Sequence, residues 1–296
     1  MTSTWAAERL GDQGGKRVIV TGATSGVGLG TATALARAGA EVILAVRNTE
    51  LGRQRAAEMG GSTSVVELDL ANLASVRAFP GLIDGDVDVL INNAGVVTQH
   101  RTETADGFEM MLGTNMLGPF ALTNLLLARV RSRIINVGSE AHRSATLRLE
   151  DMHLRSHKWT VMGAYGRSKL AMMLWGLELD RRLRAAESPV VAQLTHPGWV
   201  ASNLSNVSDS PVMSLLHRTV KAAAGRLAND IDEGAAPTLY CLTEPIPPGS
   251  YVGVTGRFGM RGAPVLTGRS ALACDYTVAA DVVAFAETET GTALSV

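Results

Sequence analysis

Short, continuous apolar runs alternate with longer helical patterns through the first two thirds of the sequence. The runs lie at residues 18–21, 41–46, 65–70, 87–91, 133–137 and 190–194, and helical patterns lie between them at about 27–38, 49–59, 71–79, 106–129 and 164–186. Strands that are buried on both faces are continuously apolar, and parallel strands need long crossover connections. The alternation therefore predicts an α/β fold, with helices on both faces of a doubly wound parallel sheet.

The C-terminal third departs from this pattern. Ser-Asp-Ser-Pro at 208–211 is a helix-start signal with Pro211 at the first helical position. A Pro-rich loop at 244–249 leads to a last strand at 251–254, which brings the sheet to about seven strands. The tail, 271–296, has a mixed pattern with no assignable register. Because there is no repeat and no low-complexity linker, we expect one domain over residues 1–296.

Composition argues against several functions. The 296 residues are 46% apolar and 19% charged, which suits a folded core. The net charge is −1 with no long basic run, whereas sequence-independent nucleic-acid binding needs a basic stripe. Cys241 and Cys274 are too few for a disulfide framework or a metal site. We find no signal peptide and no apolar stretch near the roughly 20 residues of a membrane span, so we expect a soluble cytoplasmic protein without metal.

A glycine-rich loop, Thr-Gly-Ala-Thr-Ser-Gly-Val-Gly at 21–28, joins the first predicted strand to the first helix. Gly22 allows a tight turn, Gly26 lets the backbone approach a pyrophosphate, and Gly28 lets the helix pack on the sheet. The helix N-terminus would offer free N–H groups and the positive end of its dipole to phosphates. The spacing differs from the GxGxxG dinucleotide fingerprint. A structural turn is the alternative for the loop taken alone.

Tyr165 and Lys169 lie four residues apart in a helical pattern, so both side chains point to one face. An unperturbed tyrosine has a pKa of about 10. A cation about 4 Å away, at an effective dielectric near 20, contributes roughly 4 kcal/mol, or some three pKa units. The pair therefore predicts a tyrosine whose pKa is lowered toward neutrality, where general acid–base catalysis works best. A chance surface pair is the alternative.

These motifs, in this order, resemble those of the short-chain dehydrogenase/reductase family. They are the TGxxxGxG loop at 21–28, Asn-Asn-Ala-Gly at 92–95, Tyr-x-x-x-Lys at 165–169 and His-Pro-Gly at 196–198. The resemblance covers about residues 16–204 and implies a Rossmann-type sheet. Residues 44–48, 139–142 and 196–200 look most like the retinol-dehydrogenase and WW-domain-oxidoreductase-like branch. Two residues depart from the pattern, since Gly138 replaces a common serine and Ser202 a threonine.

The resemblance implies a catalytic tetrad of Asn115, Ser139, Tyr165 and Lys169. Ser139 would hydrogen-bond the substrate oxygen and Tyr165 would exchange a proton with it. Lys169 would hold the nicotinamide ribose, and Asn115 would order a helix kink and a water in the proton path. Taken singly, Ser139 is also a capping residue and Asn115 a polar group that satisfies backbone. His196 is expected to be structural, because Tyr165 already provides the proton.

The same resemblance implies the residues that bind the cofactor. They are Gly22, Thr24, Ser25, Gly26, Val27, Gly28, Arg47, Asn48, Asp69, Leu70, Asn93, Ala94, Gly95, Tyr165, Lys169, Pro197, Gly198, Val200 and Ser202. NAD enzymes of this architecture carry an acid at the end of the second strand, where this chain has Arg47. A guanidinium suits a 2′-phosphate, so NADP(H) is favoured over NAD(H). A solvent-exposed Arg47 and a helix-capping Asp69 are the alternatives.

The motifs together predict an NAD(P)-dependent oxidoreductase that moves a hydride between nicotinamide and a carbonyl or alcohol. In this family the segment after Gly198, here about 199–231, covers the substrate. Its apolar residues favour an apolar or extended carbonyl compound, although they could equally pack on the sheet. The rivals are a reductase of a conjugated C=C bond, as in protochlorophyllide-reductase-like relatives, and a non-catalytic NADP(H)-sensing protein. Relatives commonly form dimers or tetramers through their long helices, which allows a homo-oligomer here.

Overall fold

The computed structural model describes residues 9–200, 230–256 and 259–296. Its centre is one eight-stranded sheet in the order β3-β2-β1-β4-β5-β6-β7-β8. The first seven strands are parallel and β8 pairs antiparallel with β7. The strands are β1 Arg17–Thr21, β2 Glu41–Val46, β3 Thr63–Glu67, β4 Val87–Asn92, β5 Val130–Val137, β6 Val191–Thr195, β7 Tyr251–Val254 and β8 Pro264–Leu266.

Seven helices flank the sheet in the described part of the chain, besides short helical turns. They are α1 Gly26–Arg37, α2 Thr49–Met59, α3 Leu73–Ala78, α4, α5 Val161–Ala185, α6 Ile231–Thr243 and α7 Tyr276–Thr290. Helix α4 is built from Met110–Leu112, a wider turn at Gly113–Leu117 and Gly118–Leu126. The parallel sheet with helices on both faces confirms the predicted fold class.

The apolar core has two halves, one on each face of the sheet. Successive residues of β1 point alternately into them, since Ile19 belongs to one cluster and Val18 and Val20 to the other. The first cluster packs α4, α5 and α7 around the buried Trp175, and the second packs α1 and α6. Both faces of the central strands are therefore covered, which explains their continuous apolar sequence.

The predicted strand count of about seven is one too low. The additional strand, β8, has three residues, begins with Pro264 and lies at the edge of the sheet. A proline cannot donate to the sheet, and edge strands tolerate it because one side of the strand has no partner. Only Val265 and Leu266 follow the proline in this strand, and so short an apolar run does not predict a strand.

One prediction about apolar length is wrong. The helical segment Met110–Arg129 is 20 residues long and has a mean hydropathy of 1.2, enough to cross a membrane by length and composition. However, 83% of its apolar window is buried inside the protein. Its side chains join those of α5 and α7 in the apolar cluster on one face of the sheet, so it is a core helix of this fold.

Candidate active site

The chain's strand order reverses between β1 and β4, which places a crevice at the carboxyl ends of these two neighbouring strands. Thr21 ends β1, and its hydroxyl accepts hydrogen bonds from the backbone N–H groups of Asn93 and Ala94, both at 3.0 Å. The Asn93 side-chain amide donates in return to the Thr21 carbonyl at 2.8 Å. The turn after β4 is therefore fixed directly against the glycine-rich loop.

The glycine-rich loop has no room for side chains at two of its positions. Gly22 has φ +69°, and a Cβ added there would lie 2.9 Å from the Ala94 Cα. A Cβ on Gly28 would overlap the Asn93 Nδ2 and lie 2.6 Å from the Gly22 carbonyl oxygen. The close approach of the loop, helix α1 and the turn at Asn93 thus requires glycine, as the sequence predicted for a dinucleotide cradle.

The N-terminus of α1 is open to a phosphate group. Ser25, at the N-cap position, is extended and exposed, and its side chain makes no capping hydrogen bond. The first turn of the helix carries no acidic residue. Its N–H groups and positive dipole end therefore remain available for an anion, with Thr24 and Val27 partly exposed beside them. This arrangement fits the pyrophosphate of a nicotinamide dinucleotide.

The end of β2 holds the residues predicted to select the cofactor. Arg47 and Asn48 are both exposed, and none of the ion pairs described in the structure involves Arg47. Asn48 caps α2 by accepting a hydrogen bond from the Leu51 N–H at 3.0 Å. The guanidinium group of Arg47 is thus open to solvent at the position where NAD enzymes carry a carboxylate.

Residues Asp69 and Leu70 follow β3. The carboxylate of Asp69 accepts from the Ala71 N–H at 3.0 Å and so closes a turn. The N-cap of α3 is Asn72, which accepts from the Ala74 N–H, so Asp69 does not fill the capping role considered as its alternative. Leu70 is buried against α4, and a Cβ added to Gly118 would overlap the Leu70 carbonyl oxygen.

Asn115 lies in the wider turn of α4, fully buried. Its Oδ1 accepts from the Val96 N–H at 2.7 Å, and its Nδ2 donates to the Val96 carbonyl and to the Ser168 hydroxyl, both at 3.0 Å. Such single wide turns are rare and often occur at functional sites. The amide therefore ties α4 to α5 and to the turn after β4, at the helix irregularity that the resemblance implied.

Ser139 and Tyr165 meet at the end of β5. The Ser139 hydroxyl accepts from the Ala141 N–H at 3.2 Å, so it also caps the short helical turn Glu140–Ser144. It forms a side-chain hydrogen bond with Tyr165 as well. The surroundings of Ser139 are therefore compatible with both the catalytic role and the capping role.

Lys169 lies one helical turn after Tyr165 and is 3% exposed. Its Nζ donates to the Val137 carbonyl at 2.8 Å and lies 5.9 Å from the centre of the Tyr165 ring. A Cβ on Gly95 would lie 3.5 Å from this Nζ and 3.4 Å from the Asn115 Oδ1. Asn115, Lys169 and the Gly95 backbone thus surround one point of the crevice.

The predicted direction of the Tyr165 pKa is wrong for this structure. Burial raises the pKa of Tyr165 above its usual value, and the hydrogen bond with Ser139 offsets part of that rise. Burial also lowers the pKa of Lys169 to about 8. The expected lowering assumed an ammonium about 4 Å from the phenol. It left out the burial of both groups, which disfavours the charged form of each.

The turn after β6 contains Pro197 and Gly198, with Gly198 at φ +72°. Val200 packs against α6, where a Cβ on Gly234 would lie 3.5 Å from its Cγ1. His196 is buried, and burial lowers its pKa to about 4, so the ring is neutral. This agrees with the structural role predicted for it. Ser202 and the predicted helix start at Pro211 lie outside the described residues, as does most of the segment expected to cover the substrate.

Sequence reasoning missed two groups that shape the site. Thr21 appeared only as the first letter of the glycine motif, yet its hydroxyl and carbonyl hold the turn at Asn93. Glu140 accepts from the hydroxyl of Tyr251, which is 111 residues away in sequence. A hydroxyl at a strand end is a usable signal for the first group, but no local pattern points to the second.

Comparisons with known proteins agree with this geometry. The model of the short chain dehydrogenase family matches residues 16–211. Retinol dehydrogenase 13 of Homo sapiens is 40% identical over 71% of this chain and 70% of its own length. Polyprenol dehydrogenase of Mus musculus is 38% identical over 84% of this chain and 76% of its own length. The crystal structure of an uncharacterized protein from Mycobacterium Paratuberculosis is 41% identical, with a TM-score of 0.85 over 99% of this chain and all of that one.

The family match spans the glycine-rich loop, the turn at Asn93, the serine after β5 and the Tyr165–Lys169 pair. These groups lie at the carboxyl edge of the sheet beside the point where the strand order reverses, which is where doubly wound sheets bind their ligands. The chain belongs to the short-chain dehydrogenase family and is an NAD(P)-dependent oxidoreductase that moves a hydride between nicotinamide and a carbonyl or alcohol carbon.

Proposed function

We propose that this enzyme prefers NADP(H) and acts on an extended, apolar aldehyde, ketone or alcohol, with isoprenoid compounds as the leading class. The observation that carries the proposal is the apolar wall beside Tyr165. Val96, Val97 and Trp159, all half-buried, pack there with the buried Met111 and Ala164 in one apolar cluster. Apolar surface at the reacting hydroxyl favours an apolar substrate, because both surfaces leave water on binding.

The chain's own residues would bind the oxygen and handle its proton. When bound, the nicotinamide supplies the hydride for reduction or takes it up in oxidation. Ser139 orients the carbonyl oxygen through a hydrogen bond, and the Tyr165 hydroxyl gives that oxygen the proton that completes the alcohol. Because burial raises the Tyr165 pKa, the hydroxyl is protonated at neutral pH and ready to act as the acid in reduction. The buried Lys169 keeps a positive charge beside it below a pH of about 8.

Two kinds of relative support the substrate class. Proteins named retinol dehydrogenase and polyprenol dehydrogenase are 40% and 38% identical to this chain over the aligned residues. Both names refer to long isoprenoid alcohols. Two exposed apolar side chains lie near the site in sequence, Met162 one helical turn before Tyr165 and Trp199 directly after Gly198, at 64% and 45% exposed. We expect a long substrate chain to contact them as it leaves Tyr165.

Replacing Tyr165 with phenylalanine tests the proton transfer. We expect Tyr165→Phe to lower kcat by about 10²–10⁴-fold, the usual contribution of a general acid, with the dissociation constant of NADPH nearly unchanged. Tyr276→Phe, on an exposed tyrosine remote from the crevice, is the matched control. Turnover that survives in Tyr165→Phe would show that another group provides the proton, or that a conjugated C=C bond is reduced without it.

The substrate class is tested by varying the wall. We expect Val97→Ser to lower kcat/KM for a C15 or C20 isoprenoid aldehyde by about tenfold and to leave a short polar aldehyde unaffected, because about 1–2 kcal/mol of apolar contact is lost. Leu82→Ser, on an exposed leucine in another part of the molecule, is the control. Efficient turnover of small polar carbonyls alone contradicts the proposed class.

The proposed NADP(H) preference depends on Arg47, which is exposed at the end of β2 and forms no ion pair with a carboxylate of residues 9–200, 230–256 or 259–296. We expect Arg47→Ala to weaken NADPH binding by about 10–100-fold, the value of one charge-assisted hydrogen bond pair, and to leave NADH binding unchanged. Arg53→Ala removes an exposed arginine one turn into α2 and is the control. Equal dissociation constants of the wild type for NADPH and NADH would remove this role from Arg47.

A cytoplasmic location is part of the same proposal. Its support is chemical: Cys241 and Cys274 are both unpaired thiols, which persist in a reducing compartment. Fractionation of cells that express the full chain, followed by immunodetection, tests it. Recovery of the protein in the membrane fraction contradicts it.

A further inference from the structure

Two turns flank the crevice side by side because β5 and β6 are neighbours. Val137 of β5 pairs with Thr195 of β6, and the Gly138 N–H continues the ladder by donating to the Thr195 carbonyl at 2.6 Å. The next residues diverge into the serine turn, which comprises Ser139–Ser144, and into the proline-glycine turn, His196–Gly198. The first turn carries the catalytic serine, and the second lies where the nicotinamide is expected.

His196 bridges these turns with both of its ring nitrogens. Nδ1 accepts a hydrogen bond from the Gly198 N–H at 3.1 Å, and Nε2 lies 3.4 Å from the Glu140 Oε1. A neutral ring that accepts at Nδ1 carries its proton on Nε2, which then points at the carboxylate. The ring is 2% exposed, and burial holds its pKa at about 4, so this neutral form persists at physiological pH.

Glu140 follows Ser139 directly, and its carboxylate has two further polar partners besides His196. Its Oε1 also accepts from the Tyr251 hydroxyl at 3.1 Å, and its Oε2 is paired with Arg143 within the serine turn. Burial disfavours the charged carboxylate, but these partners and the nearby His196 outweigh it and lower the Glu140 pKa. The carboxylate therefore stays ionised and continues to accept from Tyr251 and Arg143.

The backbone of β7 packs closely against the His196 ring. A Cβ on Gly253 would overlap the His196 Nε2 and lie 2.7 Å from its Cδ2. On the other side, a Cβ on Gly259 would lie 3.1 Å from the ring and 3.2 Å from the Glu140 Cγ. The backbone can come this close to the ring only because both positions are glycine. Together the two contacts restrict the orientation of the His196 ring.

We propose that Glu140 and His196 are positioning residues that clamp the serine turn to the proline-glycine turn and thereby set the distance between the substrate oxygen and the nicotinamide. The inference rests on the proposed function, since it concerns the same site. His196 does not act as a base, because both nitrogens are engaged and the ring is sealed from the crevice. A misplacement of about 1 Å between reacting groups can cost about 100-fold in rate.

Two substitutions at His196 separate its contacts. The side-chain amide of asparagine reaches about as far as Nδ1, and that of glutamine about as far as Nε2. His196→Asn thus keeps an acceptor for the Gly198 N–H and loses the link to Glu140. His196→Gln keeps a donor for Glu140 and loses the acceptor for Gly198. The same pair at the exposed His100 is the control.

We expect the two variants to fail in different ways. His196→Asn should lower kcat by about 100-fold, with the NADPH dissociation constant within about twofold of the wild type. Its isotope effect with 4-deuterated NADPH should rise, because hydride transfer becomes slower than the other steps. His196→Gln should raise the NADPH dissociation constant about tenfold, the value of one hydrogen bond, with a smaller loss of kcat.

A loss of thermal stability alone, or equal effects of both variants on kcat and NADPH binding, overturns the clamp. If neither His196 variant folds, Glu140→Gln and Glu140→Ala decide, because the Glu140 side chain is only partly buried. Glu140→Gln keeps an oxygen facing His196 and should retain kcat within about threefold, whereas Glu140→Ala should reproduce the loss seen in His196→Asn; equal values overturn the proposal. A wild-type protein without NADPH-dependent turnover would refute the proposed function instead, and NADPH affinity would still test the clamp.

Discussion

Lys169 holds a positive charge where the protein disfavours it. Burial lowers its pKa from 10.5 to about 8, which corresponds to roughly 3 kcal/mol against the charged form in the folded state. Between these two values the unfolded chain binds more protons than the folded one. The penalty is therefore complete below a pH of about 8 and disappears as the pH rises toward 10.5. The folded protein is thus less stable than it would be without this charge, and it gains an ammonium group near the Tyr165 ring.

Replacing Lys169 with an uncharged side chain of similar length should remove this loss of stability. We expect Lys169→Met to raise the free energy of unfolding at pH 7 by about 1–3 kcal/mol, since the lost bond to the Val137 carbonyl cancels part of the gain. Turnover should fall by at least about 10²-fold. Urea unfolding and NADPH oxidation measure both effects, with the exposed Lys158→Met as control. A less stable Lys169→Met would show that the buried charge is well compensated.

Helices α1 and α6 pack closely enough to need glycine at their contact. A Cβ on Gly30 would lie 2.7 Å from the Ile231 Cγ2 and 2.9 Å from the Ile231 carbonyl oxygen. The N-terminus of α6 is fixed there by a capping box, in which Asp230 and Glu233 each accept from the backbone N–H of the other. The helix that carries the dinucleotide cradle is thus supported from behind by a rigid neighbour.

A single methyl group at this contact should force the helices apart. Alanine favours the helix by about 1 kcal/mol over glycine, but overpacking costs about 1–3 kcal/mol. Because the clash includes a backbone oxygen, we expect Gly30→Ala to lower the free energy of unfolding by about 1–2 kcal/mol. Gly81→Ala is the control, since a Cβ there meets nothing within 4 Å. Chemical denaturation compares them, and a stabilised Gly30→Ala would mean that α6 moves freely.

Elements whose ends carry clear capping or terminating residues were predicted to the residue. Strand β2 and helix α2 begin and end as expected, because Asn48 caps the helix and Gly60 ends it. Strand β3 begins and ends earlier than predicted, at Thr63–Glu67, and the apolar run continues beyond the end of the strand into Leu68 and Leu70, which are buried. Helix α6 was missed despite its capping box. Helix α7 buries mainly alanines and valines, whose pattern is too weak to give a register.

The sequence predicted those parts of the candidate site that are formed by local motifs. The glycine-rich loop and the Tyr165–Lys169 pair each lie within eight consecutive residues, so their spacing carries their geometry. The contacts of Glu140 with Tyr251 and His196 join segments far apart in the chain. Their existence depends on how β7 packs against β6, and the burial that sets the pKa of Tyr165 depends on the whole fold.

Three buried histidines make the whole molecule sensitive to acid. Burial lowers the pKa of His142, His153 and His196, to about 4 for His196. Each is neutral when folded and must be protonated in acid, so its stabilising contribution is complete above a pH of about 6.5 and is lost as the pH falls through the lowered value. The change at His196 alone is worth roughly 3 kcal/mol.

We expect the urea midpoint to fall steeply between pH 6.5 and pH 4.5. His153→Asn keeps an acceptor for the Glu109 N–H, removes one titrating ring and should make this fall shallower. His100→Asn, at an exposed position, should not change it. An unfolding midpoint that is independent of pH over this interval would mean that the three rings are protonated in the folded protein.

The long helices are covered within one chain. Every residue of α5 from Gly166 to Asp180 is buried, as is every residue of α4 from Met111 to Thr123. Helix α7 packs along α5, and Arg182 of α5 bonds Glu287 and the Leu294 carbonyl. We therefore expect these helices not to form the dimer interface that the family resemblance allows. Light scattering should give a mass near 31.1 kDa, and twice that mass would contradict the expectation.

Helix α7 covers the outer side of the catalytic helix α5 although the two helices are far apart in the sequence. Ala279, Val282, Val283 and Ala286 pack there and are synthesised well after α5. A nascent polypeptide therefore exposes an apolar strip of α5 until α7 has been translated, and a premature stop codon near position 275 would leave that strip uncovered. Such a fragment would hold all four tetrad residues and would still bind chaperones instead of turning over substrate.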